Sequence, residues 1–233
     1  MAATKPSSAS RTVPSWVFLS ALCVIGLVSR LPQLLSKDLL LDGDECILGL
    51  MAKHIAEGRD FPIFFYGQRY GLAIVEAPLA ALNFLILGVG AVPLKLAMLV
   101  LWLVGISFYF LTFSRTLGPA RSFWIAIAIV LMPAWAVSSM KAWSGYLTAF
   151  ALAGALLYAI TSEARQSLGY GIAGVLTSFV YLSQPSWLPG LAPVVLFFLW
   201  SSRRLSSWVA YGAGLLGAIG AMVLAQMWWL PAP

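Results

Sequence analysis

Apolar residues run through this chain in long blocks parted by short polar breaks, and one polar segment, residues 32–76, is far longer than the other breaks. A helix needs about 20 mostly apolar residues to cross the hydrocarbon of a bilayer. Blocks of that kind lie at about 15–31, 94–113, 121–138, 144–160, 168–183, 187–200 and 207–229. They predict seven spanning helices in an all-α polytopic membrane protein. The breaks carry turn chemistry at Gly118-Pro119, at Gln184-Pro185, and in the polar stretches 161–166 and 201–207. An eighth apolar stretch, 77–92, is short, contains Pro78 near its start and is interrupted by Asn83, Gly88 and Gly90.

Composition supports the membrane reading. Hydrophobic residues make up 61% of the chain and charged residues 9%, with a mean hydropathy of +0.91. A soluble domain carries about 25% charged residues. The net charge of +6 does not argue for nucleic acid, because Lys and Arg stand in ones and twos between the apolar blocks. Two cysteines make no disulfide framework. Cys23 and Cys46 read as small hydrophobes. Residues 1–14 read as a disordered cytoplasmic tail, and the rest as one transmembrane module. No small-residue cleavage pattern precedes Arg30, so the first apolar block reads as a retained anchor.

Loop charges set the orientation. With Lys5 and Arg11 inside, residues 32–92 form an outer loop. If 77–92 crossed, Arg115, Arg121, Arg165, Arg203 and Arg204 would all face outside. If it lies along the interface, all five move inside. The second solution is the better one. A rival with the first helix reversed puts residues 32–76 in the cytoplasm, and charge alone does not decide between the two.

Seven of the eight acidic residues fall between Asp38 and Glu76, three of them in Asp42-Gly43-Asp44-Glu45. Carboxylates are costly near hydrocarbon, so they persist where water or a partner reaches them. A helix is expected over about 44–57, with Ile47, Met51 and Ile55 at helical spacing and Gly58 as its stop. It would lie in the interface. Asp42 and Glu45 match a capping box, which is a purely structural reading of both. Asp44 is not needed for that pattern. A helix N-terminus would keep it rigid and ionised, as a general base requires. Tyr66, Gln68 and Tyr70 either belong to an interfacial aromatic belt or line a polar pocket. Glu76 stands at the start of the second juxtamembrane helix, 77–92, where it is either a cap or a ligand group. His54 is the lone histidine, and no His/Cys cluster suggests zinc. A hard divalent cation on Asp42, Asp44 and Glu45 is an open option.

The runs LDGDECILGLMAKHIAEG at 41–58 and FPIFFYGQRYG at 61–71, followed by Glu76-Ala77-Pro78, resemble the first outer loop of the C-type membrane glycosyltransferases. The likeness is to bacterial members akin to protein O-mannosyltransferases and lipid A aminoarabinose transferases. It covers roughly residues 15–200, and its specific part is 41–78. The resemblance implies an inside N-terminus and a bacterial plasma-membrane location, with an outer loop that carries two juxtamembrane helices. It also implies transfer of a sugar from a polyprenyl-phosphate carrier to a glycan, lipid or protein hydroxyl, with inversion. Asp44 then takes the acceptor proton, with Glu45 beside it. Asp42, Tyr66, Gln68, Arg69, Tyr70, Glu76, Lys141 and Tyr146 are the expected substrate-binding residues, Arg69 and Lys141 as partners of the carrier phosphate. The chain departs from the family pattern in three places. It has one proline after Glu76 where many relatives have two, no second acid near Lys141–Tyr146, and no Lys-Gly pair at 184–187.

Members of that family usually continue with further helices or an outer domain, so the resemblance implies the shared module alone, as a fragment, a truncated gene product or a minimal form that needs a partner subunit. The alternative is a catalytically inactive relative or an assembly subunit. A transporter would call for charges inside the spans, and the apolar blocks carry them only at their edges.

Overall fold

The computed structural model describes residues 13–37, 39–68, 70–162 and 166–229, and these are all-helical apart from loops and one isolated pairing of Phe64 with Leu72. The helices are α1 (Ser15–Val28), α2 (Leu31–Leu34), α3 (Gly43–Ala56), α4 (Glu76–Leu87), α5 (Ala91–Leu117), α6 (Pro119–Leu131), α7 (Pro133–Ser138), α8 (Tyr146–Ile160), α9 (Gln166–Ser183), α10 (Leu188–Ser202) and α11 (Leu205–Trp229), with a 3-10 turn at Pro185–Trp187. Four stretches are long and apolar enough to cross a membrane: Ser15–Leu34, Ala91–Leu117, Pro185–Ser202 and Leu205–Ala225. The apolar helices at 76–87, 119–131, 146–160 and 167–183 are shorter.

Local chemistry sets most boundaries. Asp42 and Glu45 form the expected capping box, with Glu45 N–H donating to Asp42 Oδ1 at 3.0 Å and Asp42 N–H to Glu45 Oε2 at 3.1 Å. The expected 77–92 helix stops at Leu87, because Gly88 takes a positive φ. The expected 94–113 helix runs instead from Ala91 to Leu117, which moves Lys95 from its second position to its fifth. The expected 121–138 helix is broken. Met132 is extended ahead of Pro133, as a residue before proline prefers, so α6 and α7 are separate.

The core is built around α5. Trp102, Phe110, Met98 and Leu99 are enclosed by Leu22 of α1, Leu48 and Met51 of α3, Phe84 of α4, Val130 of α6 and Phe150 of α8. On α3 the buried stripe is Glu45, Leu48, Met51 and Ala52, while Leu50 is exposed. From α5 the packing runs outward through α8 to α9 and then α11. The α9–α11 seam is closed by glycine. A Cβ on Gly174 would collide with the backbone oxygen of Tyr211, and one on Gly214 with that of Gly171. Small residues let helix backbones approach this closely in a bilayer, where no hydrophobic force drives two helices together.

The ends of the bundle are distinct. At one end, Arg30 after α1, Lys95 at the start of α5, the 139–145 connection and the end of α9 come together with α3 and α4. At the other end, Arg115 near the end of α5 donates to the Tyr158 carbonyl near the end of α8 and stacks over the Tyr158 ring.

Candidate functional site

The capping box of α3 is the start of a larger charge cluster. Asp42 uses its second oxygen, Oδ2, to accept from Lys141 Nζ at 2.8 Å and from the Trp143 indole N–H at 2.9 Å. Burial would push the Asp42 carboxyl up, but Lys141, the Glu45 amide and Trp143 together hold it at about 2. Asp42 is therefore ionised throughout the physiological range. The same contact, more than any other, raises Lys141 above the ordinary lysine value.

Glu45 is fully enclosed. It accepts from Lys95 Nζ, from the Ala142 amide at 3.2 Å and from Lys141 Nζ at 3.4 Å. A carboxylate buried without partners would be prohibitive, and two lysines supply the compensation. Glu45 thus joins α3, α5 and the 139–145 connection, with no oxygen facing solvent. Asp44, one residue before it, is exposed and makes no ion pair or side-chain hydrogen bond among the described residues.

Beside this cluster lies a cleft of about 190 Å³ lined by Trp135, Ser138, Lys141, Trp143, Tyr146, Leu147 and Trp187. Two of its lining residues, Lys141 and Trp143, are the Asp42 partners. Behind it sits Arg30, only 2% exposed, which donates to Ser139 Oγ, Ser29 Oγ and the Trp135 carbonyl and lies 4.5 Å from the Trp102 ring centroid. No carboxylate faces Arg30 among the described residues.

Glu76 is also fully buried, yet it meets no cation among the described residues. It accepts from Gly145 N–H at 3.1 Å and from both the amide and the hydroxyl of Thr148 at 3.0 Å. Burial is the larger influence and pushes its carboxyl up to about 7 against these hydrogen bonds.

The remaining sequence candidates are dispersed. The Tyr66 hydroxyl donates to Asp60 Oδ2 at 3.0 Å and lies 2.9 Å from His54 Nδ1. Burial first, then Asp60, pushes Tyr66 up to about 12. His54 follows Asp44 by ten residues along α3, which at 1.5 Å per residue is about 15 Å. Tyr66 therefore belongs to the opposite end of that helix from the charge cluster. Gln68 and Tyr70 are exposed on the loop between, and Arg69 lies outside the described residues. Lys141 and Tyr146 line the cleft, and Lys141 is engaged by two carboxylates. The option of a divalent cation on Asp42, Asp44 and Glu45 does not fit this arrangement. Lysines occupy the oxygens of two of the three, and no group of three His, Cys, Asp or Glu stands close enough among the described residues to hold a metal.

Lys95, Arg30 and the tryptophans at 135, 143 and 187 were not singled out from the sequence. Lys95 carried a usable signal, since a lysine drawn inside a membrane-length apolar helix calls for a partner. Comparison with protein families, with curated proteins and with solved structures finds no match for this chain.

Proposed function

We propose that this chain is a membrane glycosyltransferase module that moves a sugar from a polyprenyl-phosphate carrier to an acceptor hydroxyl on the extracytoplasmic face. The observation that carries the reading is Asp44, an exposed carboxylate without an ion-pair partner among the described residues, on the first turn of a helix whose N-cap, Asp42, contacts Lys141 and Trp143 in the wall of an aromatic cleft. The flat faces of Trp135, Trp143 and Trp187 suit the C–H faces of a sugar ring. Ser138, Tyr146 and Lys141 offer polar contacts at its edge.

In this reading the acceptor oxygen attacks the anomeric carbon and its proton passes to Asp44. The bond from that carbon to the phosphate oxygen breaks, and polyprenyl phosphate leaves with the electron pair. Lys141 and the buried charge of Arg30 favour the anion as it forms. Asp42 and Glu45 hold the scaffold and do not touch substrate.

The accompanying topology has seven crossings, with α6 and α7 counted as one, and with α3 and α4 lying along the outer interface. The end of the bundle that gathers Arg30, Lys95, the 139–145 connection and the end of α9 supports it, because seven crossings place all of these on one side. Arg115, Arg203 and Arg204 then face the cytoplasm of a bacterial plasma membrane, in keeping with the charge rule.

A second reading, a non-catalytic assembly subunit, is favoured by one observation. Both lysines of the cluster are neutralised by Asp42 and Glu45. One assay separates the two. Proteoliposomes receive a polyprenyl-phosphate hexose with envelope lipids and glycans as acceptors, and release of polyprenyl phosphate is followed. The transferase reading expects Asp44→Asn to slow release about 10²- to 10⁴-fold with the fold intact. Equal rates for the two chains, including equal silence, would falsify it.

A further inference from the structure

The first turn of α8 is capped from another helix. A helix leaves its first N–H groups without intrahelical partners, and a Ser, Thr, Asp or Asn at the N-cap normally accepts from one of them. Here the N-cap is Gly145, which has no side chain to offer. It cannot be otherwise, because a Cβ at 145 would strike the backbone oxygen of Ser183, and its φ of +84° disfavours any other residue. Glu76 fills the vacancy from α4. One of its oxygens takes the Thr148 amide and hydroxyl, and the other takes the Gly145 amide.

Tyr146 and Leu147 lie between those two anchored amides, and both line the cleft. The Glu76 carboxylate itself is fully enclosed and touches no open space. We infer that Glu76 is a positioning residue: it caps α8 in trans, and so fixes the Tyr146–Leu147 wall and sets how tightly the cleft holds a sugar-bearing ligand. The part concerning ligand rests on the transferase reading above. The capping part does not.

The experiment uses the full chain in lipid nanodiscs and reads two quantities. Amide hydrogen exchange over 144–149 reports the cap, and the KM and kcat for a polyprenyl-phosphate hexose report the cleft. Losing an N-cap acceptor opens a helix end by about five- to tenfold. Glu76→Gln keeps one accepting oxygen and loses the other, so it is expected to speed exchange at whichever of Gly145 and Thr148 faces the new amide nitrogen by that factor, and to raise KM by a similar factor with kcat changed less than twofold. Glu76→Asp keeps the charge but falls short by one methylene, so it should lie between wild type and Gln in both readouts. Thr148→Val keeps the amide bond and should leave exchange within about twofold of wild type. Unchanged exchange in Glu76→Gln overturns the proposal, as does a fall in kcat at constant KM, which would place Glu76 in the chemistry. A wild-type chain that turns over no donor sinks the transferase reading, and the exchange result then judges the cap alone.

Discussion

Lys95 of α5 donates a hydrogen bond to Glu45 of α3 with both side chains shut away from solvent. Neither charge is tolerable alone in that setting. Removing one partner of a buried pair typically costs about 3–5 kcal/mol, whereas replacing both by apolar residues of similar volume is close to neutral. Lys95→Met is therefore expected to lower the denaturation midpoint in detergent sharply, and Lys95→Met with Glu45→Leu to recover part of the loss. The recovery is limited because Glu45 also caps α3 and holds Ala142. A double variant no better than the sum of the singles would rule out a direct pair.

The Glu76 carboxyl gives the stability a pH signature. Its value of about 7 in the fold lies above the ordinary 4.5, so the folded state holds the proton more tightly than the unfolded one. That preference is fully present below pH 4.5 and fades as the pH rises through about 7, a swing of about 3 kcal/mol. Between pH 5 and pH 8 the wild type should lose stability relative to Glu76→Gln, which has no such proton to release. Parallel pH curves for the two chains would show that burial leaves the group unshifted.

At the glycine seam, Gly174→Ala should separate α9 from α11. A single methyl placed against the Tyr211 carbonyl has no room unless the backbones part. The expected result is a loss of about 1–3 kcal/mol and increased protease access near 203–205. Gly212→Ala, whose Cβ meets nothing within 4 Å, serves as the control and should be neutral.

Single-cysteine labelling decides the topology. Ser36, Thr116 and Ser201 are exposed in the fold. Seven crossings with α4 along the interface predict that an impermeant reagent reaches position 36 from outside, and positions 116 and 201 only after permeabilisation. Labelling of both 36 and 116 in intact cells would mean that α4 crosses, and labelling of 116 alone that α1 is reversed.

What was legible in the sequence was local. The spacing of Asp42 and Glu45 announced the capping box, and Gly118-Pro119 announced the break between α5 and α6. The burial of Glu45 was not legible, because its partners Lys95 and Lys141 lie far along the chain. The proximity of Tyr66 to the acidic cluster in sequence was misleading for the same kind of reason, since a rigid helix carries the chain about 15 Å away before the loop begins. Glu76 read either as a cap or as a ligand group, because it is acidic and stands where the outer loop meets a helix. Its enclosure depends on Gly145, where the need for glycine comes from a backbone oxygen at Ser183 that no local pattern reveals. The cleft joins the stretch 135–147 to Trp187 in the turn before α10, so its tryptophans showed no common motif.

The extended Met132 between α6 and α7 has a consequence for how such a chain can change length. In an unbroken helix, adding or removing one residue turns everything beyond it by about 100°, which follows from 3.6 residues per turn. At Met132 the hydrogen-bonded ladder of α6 ends, so the number of residues in α6 does not by itself dictate the bearing of Trp135 and Ser138, which α7 takes from its own packing beside the cleft.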